Sequence, residues 1–202
     1  MEALTVQILC DKIPQKKDYM IYCFAHHDIN VDIMAKTVNA LFSEYKQTFP
    51  VYILGNITKL SGVSSSIKVK EIYDTYNIEV RIIPYNKESI NTRIEVESIV
   101  EYFHNFKHNN IILVSPAFHS KRAFMTTISY LIDKSYDLSF YSKAATIYDW
   151  TTETISHQGL TKCSFSEMVN LEQKRIVTYT QKGDIRNCNE IIEYLKSRNK
   201  KD

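Results

Sequence analysis

Five short apolar runs punctuate the chain: "MIYCFA" (20–25), "VYILG" (51–55), "VRIIP" (80–84), "IILVS" (111–115) and "AATIY" (144–148). They are continuous and rich in β-branched residues, as expected of strands covered on both faces. Between them the period changes. Met34, Val38, Leu41, Phe42 and Tyr45 recur at helical spacing over 32–46, and Val96, Ile99, Val100, Phe103 and Phe106 form one stripe over 92–107. Phe124, Ile128, Leu131 and Ile132 mark a helix after the fourth run, and "NEIIEYLKSR" (189–198) reads as another. The stretch 56–79 reads as a loop and then a helix capped by one of Ser64 to Ser66. Residues 149–182 fit no strand–helix unit and read as a lid or flanking subregion. Strand–helix alternation at this spacing predicts an α/β fold: a Rossmann-like, open, mainly parallel sheet of about five strands with helices on both faces. Its 202 residues lack internal repeats and Pro/Gly-rich linkers, and read as one domain spanning 1–202.

Charge narrows the partners. The formal net charge is +2, and the one basic cluster, "KSRNKK" (196–201), reads as a solvated helix end, so nucleic acid is not expected as a partner. No window has the unbroken apolar length that crosses a bilayer, and the first twenty residues do not read as a signal peptide, so a cytoplasmic protein without a membrane partner is expected. Cys10, Cys23, Cys163 and Cys188 form no CxxC pair, and Cys23 reads as a reduced core residue.

In an open parallel sheet, ligands bind beyond the carboxyl ends of the strands, where strand order reverses. "HHDIN" (26–30), Asn56 with Thr58, "YNKESINTR" (85–93), "PAFHSKRA" (116–123) and "DWTTE" (149–153) occupy that edge. In "PAFHSKRA" a helix beginning near Ser120 would aim free N–H groups at the strand end, with His119, Lys121 and Arg122 adding donors for phosphate or carboxylate. The plainer reading makes Ser120 an ordinary cap and pairs Arg122 with an acid on a neighbouring helix. Ser115 or Ser120 beside His119 could form a nucleophile pair, but no GxSxG elbow accompanies them.

In "ESINTRIE", Glu88 reads as a base or a ribose-hydroxyl acceptor, and Ser89, Asn91 and Thr92 as capping candidates. Thr92 with Glu95 reads as a capping box. Arg93 would clamp a second anionic group or pair with Glu97 one turn later. "FAHHDIN" lacks the glycines that let backbone approach phosphate closely. There His26, His27 and Asp28 could hold a divalent metal with His119, but adjacent histidines in an extended segment point opposite ways. The plainer reading packs one and leaves the other to water, so no metal ligand is assigned.

Taken together, "ESINTRIE" followed by an apolar helix and "IILVSPAFHSKRA" resembles the YdcF-like family, also named for SanA and ElyC. In that family a Glu–x–Ser–x–Asn–Thr segment precedes a helix, and a Val–Thr–Ser–x–x–His–x–x–Arg–Ala segment ends the next strand. "LEQKRIVTYTQKGDI" (171–185) is similar to the family's closing stretch, and Leu54, Gly55 and Asn56 stand where it carries Ser–Gly–Gly. The resemblance spans roughly residues 19–186. It implies a Rossmann-like domain whose ligand site has Glu88, Ser89, Asn91 and Thr92 on one wall and His119 and Arg122 on the other, with Ser115, Gly55, Asn56 and His26 nearby. Some members are membrane-anchored envelope proteins, and others have been associated with S-adenosylmethionine. The first loop departs from the family's glycines.

Three functions follow as expectations. The first is a protein that binds a nucleotide-like or otherwise anionic small molecule, S-adenosylmethionine among the candidates, with His119 and Arg122 holding the charged group and Glu88 accepting a hydroxyl or acting as base. The second is a hydrolase or transferase acting on a phosphorylated metabolite, with His119 as acid/base. The third is a non-catalytic interaction protein.

Overall fold

The computed structural model describes residues 2–15, 18–55, 63–85, 87, 89–105, 109–145, 149–156 and 161–201. Along the chain run α1 (Glu2–Leu9), β1 (Met20–Cys23), α2 (Asp28–Tyr45), β2 (Val51–Leu54), α3 (Ser66–Asp74), β3 (Val80–Ile83) and α4 (Thr92–His104). They are followed by β4 (Asn110–Pro116), α5 (Ala117–Lys134), β5 (Ser139–Ala145), β6 (Glu153–Ile155), β7 (Lys162–Ser164), α6 (Phe165–Gln181) and α7 (Cys188–Lys201). Five strands form one sheet in the order β3-β2-β1-β4-β5, every neighbouring pair parallel. This is the open, Rossmann-like α/β fold that the alternation predicts.

Each strand feeds both faces because successive side chains point in opposite directions. Ile21, Cys23, Val51, Ile53, Ile112 and Val114 meet Val31, Met34, Val38 and Leu41 of α2 and Val69 and Tyr73 of α3 on one face. Met20, Tyr22, Tyr52, Leu54, Ile111 and Leu113 meet α1, α4, α5, α6 and α7 on the other. The strand order reverses between β1 and β4, whose register sets Cys23 beside Val114. The turns leaving these two strands therefore diverge to opposite faces and leave a crevice between them.

Local chemistry explains the helix starts. Ser65 caps α3 by accepting from Lys68 N, as the serine cluster predicts. Asn91 caps α4, its side chain accepting from Ile94 N at 3.0 Å. This corrects the Thr92–Glu95 capping box: both residues lie inside the helix and turn their polar atoms to the core. A second correction concerns α5, which begins at Ala117 rather than near Ser120. Ser120 Oγ bonds back to the carbonyls of Ser115 and Pro116 at 3.2 and 3.1 Å, as a hydroxyl within a helical turn does.

The fifth strand is Ser139–Ala145, five residues earlier than the apolar run 144–148 indicates, and 146–148 lie outside the described residues. An edge strand tolerates Ser142 and Lys143, which hide it from a search for apolar runs. The segment after it holds the β6–β7 hairpin, paired antiparallel, and the 17-residue α6. Phe165 and Met168 of α6 pack on Phe118, the second residue of α5. Thr154 of the hairpin donates to Asn30 Oδ1 at 3.1 Å. This flanking unit therefore covers the beginnings of both α2 and α5. Among the described residues no helix is long and apolar enough to cross a membrane.

Candidate functional site

A chain of polar side chains crosses the crevice between β1 and β4. His26, just beyond β1, places Nε2 2.8 Å from Nδ1 of His119 in the first turn of α5. The other ring nitrogen of His119, Nε2, lies 3.2 Å from Thr92 Oγ1 at the start of α4. Thr92 Oγ1 also accepts from Nη1 of Arg122, and Arg122 Nε and Nη2 donate to the two carboxylate oxygens of Glu172 on α6. Arg175, one turn along α6, donates to the same carboxylate. His26, Thr92, His119, Arg122 and Glu172 are all buried. Phe24 and Phe118 stack edge-on against the imidazoles, with centroids 5.5 Å from His119 and 5.9 Å from His26.

Glu95, one helical turn after Thr92, brings a second carboxyl to the same place. Its Oε1 accepts from the Tyr22 hydroxyl at 2.6 Å and from Ala25 N at 2.7 Å, while Oε2 is buried without a hydrogen-bond partner. Burial pushes this carboxyl from its ordinary 4.5 up to about 7, against the opposing pull of the Tyr22 and Ala25 bonds and the Arg122 charge.

Among the described residues, two further buried polar atoms lack partners here: Nδ1 of His27, the residue preceding α2, and Nδ2 of Asn30 in its first turn. The helix termini agree. α3, α4 and α6 begin on side-chain caps, the last a full Ser164–Glu167 capping box. α2 and α5, which begin on either side of the crevice, have no side-chain cap at their N-caps, His27 and Pro116. Uncapped first turns leave backbone N–H groups to be met by other partners.

Beyond Thr92 and Arg122, away from His119, opens a cavity of about 220 Å³ lined by Asn91, Arg93, Thr126, Tyr179 and Asp184. Residues of the three stretches quoted for the resemblance line it: Asn91 and Thr92 from the first, Arg122 from the second, and Tyr179 and Asp184 from the third.

The expected site residues divide accordingly. His26, Thr92, His119 and Arg122 come together. Arg122 pairs with an acid on a neighbouring helix, the plainer of its two readings, and its charge is already matched by Glu172 at the pair's fully buried position. Arg93 likewise reaches Glu97 at 3.4 Å, and also Asp133 at 3.3 Å. Ser115 is buried and donates to Ser120 Oγ at 3.0 Å. Asn91 is a cap, and Ser89 is exposed with only its carbonyl engaged, by Tyr85.

Gly55 closes β2 against β3. Its N–H donates to Ile83 O at 2.9 Å, and a Cβ there would stand 2.3 Å from Ile82 Cγ2, so the sheet itself uses its small size. Glu88 and Asn56 lie outside the described residues. Among the described residues no three His, Cys, Asp or Glu side chains gather as metal ligands, and Asp28 accepts instead from Ser64 Oγ. Glu172 and Glu95 were missed as members of the network. The first is visible in sequence only as the acid of the closing stretch, and the second reads there as half of a capping box.

The molecule is thus an open parallel α/β protein with a polar crevice at the point where its strand order reverses. No protein-family model matches the sequence, and no curated protein matches it either.

Proposed function

We propose that the chain binds a small anionic or nucleotide-like molecule in the β1–β4 crevice at the carboxyl edge of the sheet, with S-adenosylmethionine among the ligands to try. One observation carries this reading. Among the described residues, buried polar atoms without partners recur along the segment leaving β1, at His27 Nδ1 and Asn30 Nδ2, and on Glu95, whose Oε1 meets Ala25 N and whose Oε2 meets nothing, beside two helix starts without side-chain caps. Native interiors pair such atoms, so a cluster of them at a recognised ligand position marks groups kept for an incoming molecule. The family resemblance bears on the neighbouring side of Thr92 and Arg122, where residues of its three stretches line the cavity of about 220 Å³.

In this arrangement His26 faces the ligand's polar part, and His119, whose two ring nitrogens meet His26 and Thr92, orients it. Arg122 contributes orientation, holding Thr92 and through it the His119 ring, more than net charge. Glu88 joins on the strength of the resemblance alone. The setting we infer is cytoplasmic, consistent with four cysteines that form no disulfide.

A second reading rests on the two imidazoles 2.8 Å apart, with Thr92 on the far ring nitrogen. Both ring nitrogens of His119 are engaged there, so acid/base work on a phosphorylated metabolite requires the substrate to displace Thr92 Oγ1 from Nε2 or His26 from Nδ1.

Thermal denaturation of wild type and His119→Ala across nucleotides, S-adenosylmethionine and sugar phosphates tests both. A ligand at a hundred times its dissociation constant adds about 2.7 kcal/mol of stability. A stabilising ligand whose effect His119→Ala abolishes supports binding at the crevice, and phosphate release lost in the same variant supports the second reading. Equal responses in both proteins would contradict the site.

A further inference from the structure

Glu95 raises a difficulty for an anion site, since a carboxylate would repel the ligand. Its geometry resolves the conflict. The Tyr22 hydroxyl and Ala25 N both converge on Oε1, and among the described residues Oε2 has no hydrogen-bond partner although Glu95 is fully buried. A buried carboxylate spreads its bonds over both oxygens, because each keeps lone pairs that are costly to leave dry. Two donors on one oxygen and none on the other is the pattern of a neutral acid, carrying its proton on the oxygen that accepts nothing. We propose that Glu95 is a ligand-binding residue of the crevice, a neutral carboxylic acid whose Oε2–H is held ready to donate to an oxygen of an oxyanionic ligand.

This assigns a role to a residue that otherwise reads as part of a helix start, and it rests on the ligand site proposed above. The groups around the carboxyl are compatible with it. Tyr22 from β1 and Tyr85 from the turn after β3 are both hydroxyls that burial keeps protonated. Arg122 from α5 attracts the charged form, but Glu172 on α6 already holds that guanidinium, and Arg175 lies on the far side of Glu172. His119 and His26 lie across Thr92 and next to Ala25. The carboxyl's rise to about 7 agrees with a proton that is present below neutrality and lost above it. An oxyanion accepting from Oε2 would raise it further, so binding takes up a proton and weakens with rising pH.

The test uses the full chain with sulfate, an oxyanion that does not itself titrate between pH 6 and 8, and with adenosine 5′-monophosphate. Calorimetry at the two pH values is combined with carboxyl-carbon NMR of Glu-labelled protein. The expected results are a Glu95 resonance titrating near neutrality, moved upward by saturating sulfate, and sulfate affinity falling roughly tenfold from pH 6 to pH 8. Glu95→Gln, whose amide also donates, retains binding but without the pH dependence, and Glu95→Ala loses at least tenfold at pH 6. A Glu95 resonance titrating in the ordinary carboxylate range in the free protein overturns the proposal, whether or not Glu95→Ala folds. Anions that bind equally at both pH values, and equally to Glu95→Gln, overturn it while leaving the ligand site standing. If neither probe binds wild type at pH 6, the site reading fails and this proposal falls with it.

Discussion

Two buried arginines of this protein face opposite fates. Arg198 on α7 bonds Asp11 through Nη1 and Nη2 at 2.7 and 2.6 Å, the Phe140 carbonyl through Nη1 at 2.6 Å, and Asn199 Oδ1 through Nε and Nη2 at 3.1 and 2.8 Å. All five of its N–H groups are used. The guanidinium lies over the Tyr141 ring at 4.4 Å, and Asp11 accepts in turn from Ser142 N at 2.9 Å. Arg122 makes three such bonds among the described residues, to Glu172 twice and to Thr92, and the chain it belongs to leads to Glu95 and the β1–α2 turn, where buried atoms have no partner. Both are buried ion pairs, and burial alone does not tell them apart. Closure does: the network that only holds structure is complete, and the network at the crevice is left open.

Closing a buried pair makes its rupture expensive. Asp11→Ala strands the Arg198 charge in the interior, and the expected loss is about 3 to 5 kcal/mol, a fall in melting temperature of roughly 6 to 20 °C. Ligand responses should survive in the folded fraction. A loss below about 1 kcal/mol would show that the Arg198 network is not the staple described. At the crevice the largest effect is pH-dependent. Glu95 has a carboxyl raised in the folded state, so its stabilising contribution is complete below about pH 4.5 and disappears as pH rises toward about 7. Wild type should lose on the order of 3 kcal/mol across that window relative to Glu95→Gln, measured by denaturant unfolding at several pH values. Parallel pH profiles would refute a neutral buried carboxyl.

Thr92→Val separates the regions more finely. It keeps shape but removes the hydroxyl between His119 and Arg122, costing about 1 to 3 kcal/mol, and it should weaken ligand binding where Asp11→Ala does not. Full binding in Thr92→Val would remove that hydroxyl from the site. The smallest effect concerns thiols. Burial pushes Cys23 up to about 12, so it should resist alkylation in the native protein while exposed Cys10 reacts, as mass spectrometry would show. Equal labelling would mean that the β1 core opens.

What could be read beforehand follows the same physics. Apolar runs and helical stripes report burial, so the parallel sheet, α2, α4 and α7 were legible. β5 was misplaced because an edge strand mixes Ser142 and Lys143 with Phe140 and Tyr141. His119, Arg122, Thr92 and His26 were legible as polar residues following strands. Glu172 was not, because an acid inside an amphipathic helix looks solvated until the fold brings Arg122 against it. Glu95 was misread because a local rule, threonine followed three residues later by glutamate, competed with Asn91 one position earlier, and Asn91 took the cap.

The central claim is that the crevice between β1 and β4 is where this protein meets its ligand. Backbone amide NMR during titration with adenosine 5′-monophosphate at pH 6 tests it most directly. The account predicts saturable shifts at His26–Asn30, Thr92–Glu95 and Ala117–Arg122, with the Arg198 region unmoved. Saturable binding that shifts only residues elsewhere, such as the cavity between the end of α5 and α7 lined by Leu131, Tyr136 and Tyr194, would contradict it.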